Sequence, residues 1–158
     1  MTFENQKTAN AITKQLLEGV QLDSIQISST VLNINFMRLP KHKSLPISVW
    51  ISTTSNAVFS KNEEILPSKY ENFFERRALT IKSLYQSIGE YITHADVLPG
   101  GQLKLKIGTQ FLSIIHDFEN EEEIWSITSD NPDPFGNQDW KVSMHTHNKA
   151  FVSQPLNS

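Results

Sequence analysis

Apolar positions follow two different periods along this chain. Ala11, Ile12, Leu16 and Leu17 fall on one stripe at helical spacing, and Gly19 follows, a residue suited to closing a helix. The spacing then changes: Leu22, Ile25 and Ile27 precede a turn at 28–30, and Leu32, Ile34 and Phe36 alternate strictly beyond it. Much the same order returns further along. Leu79, Ile81, Leu84, Tyr85 and Ile88 form a helical stripe ending at Gly89. Ile92, Ala95 and Val97 follow, then Pro99-Gly100-Gly101, then Leu103, Leu105 and Ile107. Each block reads as a helix, a strand, a tight turn and a second strand. In the strand 103–107 the alternation predicts that Leu103, Leu105 and Ile107 share a buried face while Lys104 and Lys106 point to water.

Around these blocks the pattern is less regular. The segment 68–77, with Tyr70, Phe73 and Phe74, reads as helical and capped by Ser68 after Pro67. A basic loop at 40–44 leads to a strand at 47–52, and strands are expected at 111–116, 123–128 and 140–145. The linkers 117–122 and 129–139 separate them, the second holding Asn131-Pro132-Asp133-Pro134 and Gly136. From Phe151 onward the chain reads as a frayed tail. The expectation is an α+β fold, an antiparallel β-sheet with flanking helices, in a single globular domain over 1–158. The segments 11–52 and 79–128 read either as an internal repeat of two similar helix–hairpin halves or as two hairpins alike by chance.

Composition narrows the class. The chain has 158 residues, 38% hydrophobic and 20% charged, within the range of one ordinary globular domain. With 17 acidic against 14 basic side chains it carries a formal charge of −3, which disfavours nucleic-acid binding by bulk charge. Cysteine is absent, so disulfides, thiolate metal sites and a cysteine nucleophile are excluded together. The first residues are polar and lack the apolar core of a signal peptide, and no run is long and apolar enough for a membrane helix. A cytoplasmic protein without membrane contact is expected.

Candidate chemistry is sparse. His145 and His147 would point to one face of a strand and could share a metal ion. If Trp140, Val142 and Met144 face the core, however, the two imidazoles face solvent beside Lys141, so two solvated histidines are the favoured reading. His116-Asp117 could supply an acid–base pair, but adjacent strand residues point to opposite faces. Pro99-Gly100-Gly101 matches no phosphate-loop spacing and reads as a hairpin turn. Arg38, Lys41, His42 and Lys43 read as a solvated basic loop. No catalytic residue, metal or cofactor is assigned, and the chain is read as a non-enzyme.

One segment points outward, toward a partner. Between Asp117 and Asp133 stand seven carboxylates, Asp117, Glu119, Glu121, Glu122, Glu123, Asp130 and Asp133, with no lysine or arginine among them. Phe118, Trp125, Phe135 and Trp140 lie in or beside them. Such a cluster serves either as a solvating surface or as a steering field for a basic partner, with aromatic anchors such as Phe135 supplying binding energy. The spacing does not converge oxygens on calcium.

The second half resembles small bacterial immunity proteins of polymorphic toxin and contact-dependent inhibition systems. The resemblance rests on Ile92, Ala95, Val97, Leu103, Leu105, Ile107, Glu123, Trp125 and Ile127, and covers about sixty residues. It implies an acidic, cytoplasmic antitoxin that binds and neutralises a cognate toxin with a basic surface; a nuclease would present such a surface. The alternatives are a small enzyme or metal-binding protein using His145 and His147, and a ligand-binding or structural domain with its pocket between the two halves.

Overall fold

A computed structural model describes residues 3–40, 44–61, 72–115, 123–129, 140–146 and 149–154. Among them are two helices and ten strands: α1 (Phe3–Leu17), β1 (Gln21–Ser28), β2 (Val31–Met37), β3 (Ser48–Thr53), β4 (Asn56–Ser60), α2 (Phe73–Gln86), β5 (Ile92–Val97), β6 (Leu103–Ile107), β7 (Gln110–Ile115), β8 (Glu123–Ser129), β9 (Lys141–His145) and β10 (Lys149–Ser153). The strands build two antiparallel sheets, ordered β1-β2-β3-β8-β9-β10 and β4-β7-β6-β5. The α+β architecture with antiparallel sheets is therefore as expected.

The alternation seen in sequence becomes rows of side chains across each sheet. In the larger sheet Ile25, Ile34, Ile51, Ile127, Val142 and Val152 stand in register over all six strands. In the smaller sheet Ala95, Leu105, Leu112 and Phe59 do the same. Leu103, Leu105 and Ile107 are buried, while Lys104 and Lys106 on the opposite face are half-buried. Period two places alternate residues on one face, so each row closes on a continuous apolar core.

The chain changes sheets twice. β3 belongs to the larger sheet and β4, two residues later, to the smaller; β7 belongs to the smaller and β8 to the larger. The blocks that look alike in sequence meet at their glycines. The Gly19 amide donates to the Ile92 carbonyl and the Gly89 amide to that of Leu22, both at 2.8 Å. Ile92 donates to Val20 and Leu22 to Glu90, again at 2.8 Å. Gly19 and Gly89 hold φ of 93° and 98°, a left-handed backbone that any Cβ would strain, which is why glycine ends each block. A β-bulge follows each junction, between Leu22 and Ser24 and between Ile92 and His94.

Both helices cover edges of the smaller sheet. Along β5, the Ala95 amide donates to Glu18 Oε1 (3.2 Å), just past the end of α1, and the Val97 amide to Asn10 Oδ1 of α1 (2.8 Å), while Lys14 pairs with Asp96 at 2.8 Å. Along β4, the Thr80 hydroxyl of α2 donates to the Ala57 carbonyl and Arg77 to that of Ser55. An exposed edge invites pairing with other chains, and these contacts occupy it.

Four local expectations are corrected. The second helix begins at Phe73, where Asn72 and Glu75 form a capping box, rather than at Ser68, which lies outside the described residues. Its buried face is Arg76, Arg77, Thr80 and Leu84, whereas Leu79, Tyr85 and Ile88 are exposed, because the helix lies on a strand edge that demands donors. In α1, Ala9 and Thr13 are buried with Ile12, Leu16 and Leu17, and Ala11 is exposed. The tail does not fray at Phe151: Lys149–Ser153 pairs with β9 over five residues.

Candidate functional site

The first part of the acidic segment, 116–122, joins β7 and β8, which belong to different sheets, and Asp130 and Asp133 follow β8 on the way to β9. Of its expected partner-binding residues, Asp117, Glu119, Glu121, Glu122, Asp130, Asp133 and Phe135 lie outside the described residues, as does Phe118. Glu123 is described, and it opens β8 opposite His145. Its carboxylate stands 3.7 Å from His145 Nε2, beyond hydrogen-bond range, with the side chains 39% and 29% exposed. The His145 ring packs edge-on against Phe151, with centroids 4.9 Å apart.

Two of the aromatic side chains beside the carboxylates belong to the core. Trp125 is fully buried and its indole N–H donates to the Gly101 carbonyl at 2.8 Å, joining β8 to the β5–β6 turn. Trp140 is buried as well. Neither can anchor a partner without unfolding. The alternation in 123–129, which sets Trp125 on the same face as Ile127, already carried that signal.

Besides Phe151, which is 56% exposed beside His145, an exposed aromatic side chain near this end is Phe74, 67% exposed in the first turn of α2 and packed edge-on against Phe73 at 5.4 Å. The Arg77 guanidinium sits 4.7 Å from the Phe73 ring centre and donates to the carbonyls of Thr30 (2.8 Å) and Ser55 (3.0 Å). Next to Ser55, Asn56 pairs with Ile115, the last residue of β7. On the other side of the same turn, the Thr53 hydroxyl donates to the Ile124 carbonyl at 2.7 Å, one residue after Glu123. Both anchors of the acidic linker thus flank the turn beneath the first turns of α2. Sequence reasoning missed Phe74 as part of this end because no local pattern links residue 74 to residues 115 and 123.

The remaining candidates fall out differently. Arg38 is buried rather than part of a solvated loop: it donates to Leu16 O at 2.7 Å and to Pro46 O at 3.1 Å, tying the end of α1 to the β2–β3 connection. Burial lowers its pKa and that of Arg77, marking both as structural cations held by carbonyls. Lys41, His42 and Lys43, like His116, Asp117 and His147, lie outside the described residues. On β9, Ser143 is buried, so the face expected to be solvated is partly covered around His145. Among the described residues no group of three or more His, Asp or Glu side chains is placed to share a metal ion. No helix among them is long and apolar enough to cross a membrane. A separate cavity opens on the outer face of the smaller sheet, lined by His94, Asp96, Lys104, Lys106 and Phe111, not between the two halves.

Comparison of the chain with protein-family models, curated proteins and solved structures finds no match.

Proposed function

We propose that this chain is a binding protein of the immunity type, an antitoxin that neutralises a cognate bacterial toxin in the cytoplasm by covering a basic surface of it. The observation that supports this reading is the placement of the acidic linker, whose anchors at Ile115 and Glu123 lie at the same end as the exposed Phe74. Carboxylates there would steer a basic partner over about a Debye length of 8 to 10 Å, and the aromatic side chain would hold it once docked. A nuclease fits as the toxin, since a surface built for phosphates would accept carboxylates in their place.

The test is binding kinetics at two salt concentrations with the cognate partner, found by co-purification or from the adjacent gene. Reversing Glu121, Glu122 and Glu123 to Lys is expected to slow association and flatten its salt dependence. Phe74→Ala is expected to speed dissociation, by roughly 2 kcal/mol or more for a central anchor. A folded triple variant with unchanged association rate and salt dependence would remove the basis of the proposal.

A further inference from the structure

The outer face of the smaller sheet carries a charge arrangement unlike the rest of this acidic chain. In register across β5, β6 and β7 stand the rows Asp96-Lys104-Ser113 and His94-Lys106-Phe111. Lys104 and Lys106 project from one face of one strand, about 6.6 Å apart along it. Instead of splaying apart, both ammonium groups lie over the same ring, at 5.3 and 5.7 Å from the Phe111 centroid. Like charges held this close repel unless a counter-charge lies between them.

Among the described residues little such counter-charge is supplied. Asp96 is the one carboxylate among them that lines the cavity, and its Oδ1 is bonded at 2.8 Å to Lys14 on α1. Neither Lys104 nor Lys106 has a carboxylate within ion-pair distance among the described residues. Two cations and an exposed imidazole line this cavity together and call for an anionic acceptor.

Size selects among anions. The cavity encloses about 160 Å³, room for roughly five waters, and less than the 300 to 1,000 Å³ typical of a site that engulfs a whole drug-sized ligand. It fits a small, doubly charged head whose remainder stays outside. We propose that this cavity binds a phosphate monoester, the phosphoryl group bridging Lys104 and Lys106, with His94 as a further donor and Phe111 fixing the two ammonium groups. Lysine serves such sites as a point charge. The proposal does not depend on the toxin-binding reading.

The experiment is an amide chemical-shift titration of the full chain with inorganic phosphate and with glycerol phosphate at constant ionic strength. Saturable shifts at His94, Lys104, Lys106 and Phe111 are expected. Lys104→Gln with Lys106→Gln should weaken binding at least about tenfold, while Lys104→Arg with Lys106→Arg should largely retain it. Vesicles of phosphatidylcholine doped with phosphatidic acid distinguish the source: competition through the same lysines assigns a lipid headgroup, and glycerol phosphate binding without vesicle binding assigns a soluble ester. Shifts that never saturate with either phosphate probe, or a folded double glutamine variant that titrates like the parent, would overturn the proposal.

Discussion

Trp125 stands among carboxylates in sequence and in the core in space, so Trp125→Phe separates the two meanings of that position. The substitution removes the indole N–H that donates to Gly101 at 2.8 Å and leaves a buried carbonyl without that partner. That loss costs about 1 to 3 kcal/mol. The smaller ring leaves a space of roughly 40 Å³, adding about 1 kcal/mol at about 24 cal/mol per Å³. The total, roughly 2 to 4 kcal/mol, corresponds to a fall in Tm of about 4 to 16 °C for a domain of this size. Urea unfolding followed by far-UV circular dichroism measures it, since fluorescence would confuse the loss of one of three tryptophans with unfolding. The midpoint should drop at constant slope, and association and dissociation rates with the proposed partner should be those of the parent below the transition. An unchanged midpoint would refute the energetic argument. Altered binding rates in a folded variant would put Trp125 back in the interface.

Two further outcomes follow from the core and the helix edge. Leu105→Ala, at a fully buried site between Ala95 and Leu112, should cost roughly 2 to 5 kcal/mol in denaturant unfolding; a loss below about 1 kcal/mol would mean that the centre of the smaller sheet is not close-packed. Lys14 has its pKa raised, chiefly by its hydrogen bond to Asp96 against the opposing effect of burial, with Glu18 adding to it. A raised folded-state pKa means that its contribution is fully present below about pH 10.4 and is lost as pH climbs through the folded value. The side chain is 37% exposed, so the contribution is at most about 1 kcal/mol; Lys14→Met should lower stability by that much at pH 7 and the difference should vanish at strongly alkaline pH.

The parts of the fold legible in sequence are those where apolar contacts alone decide. The strands at 32–36, 92–97 and 103–107 could be read because each buries apolar side chains on the core, whereas in β1 Leu22 alone is buried and Ile27 is 48% exposed. The second helix was misread because it meets a strand edge. Such a contact selects Arg76, Arg77 and Thr80 for the inner face and leaves Leu79 and Tyr85 outside, the reverse of the hydropathy rule. The signal for its start was nonetheless present, as Asn72 and Glu75 have capping-box spacing. Strand β4 was missed because its apolar residues Ala57, Val58 and Phe59 are consecutive and show no alternation. Of the acidic candidate residues only Glu123 can be located, and Phe74 enters the same end through tertiary contacts that no local window contains.

The two sheet crossovers explain why that end exists. Had β4 continued the sheet of β3, the turn at Thr53 to Asn56 would have been an ordinary hairpin, with α2 packed elsewhere. Because β4 instead joins β7, the first crossover lies between the two sheets, and the return crossover from β7 to β8 must start beside Asn56 and end beside Thr53. The linker making that return is the acidic one. Its four carboxylates, Asp117, Glu119, Glu121 and Glu122, therefore lie between chain ends fixed on both sides by strand register, and Arg77 pins α2, with Phe74 at its start, to the same turn. A charged loop with mobile ends would lose much of its steering to orientational averaging; one with both ends registered in separate sheets presents its field from a defined position. The crossover is thus the physical link between a topology that sequence periodicity could not predict and a surface that composition could.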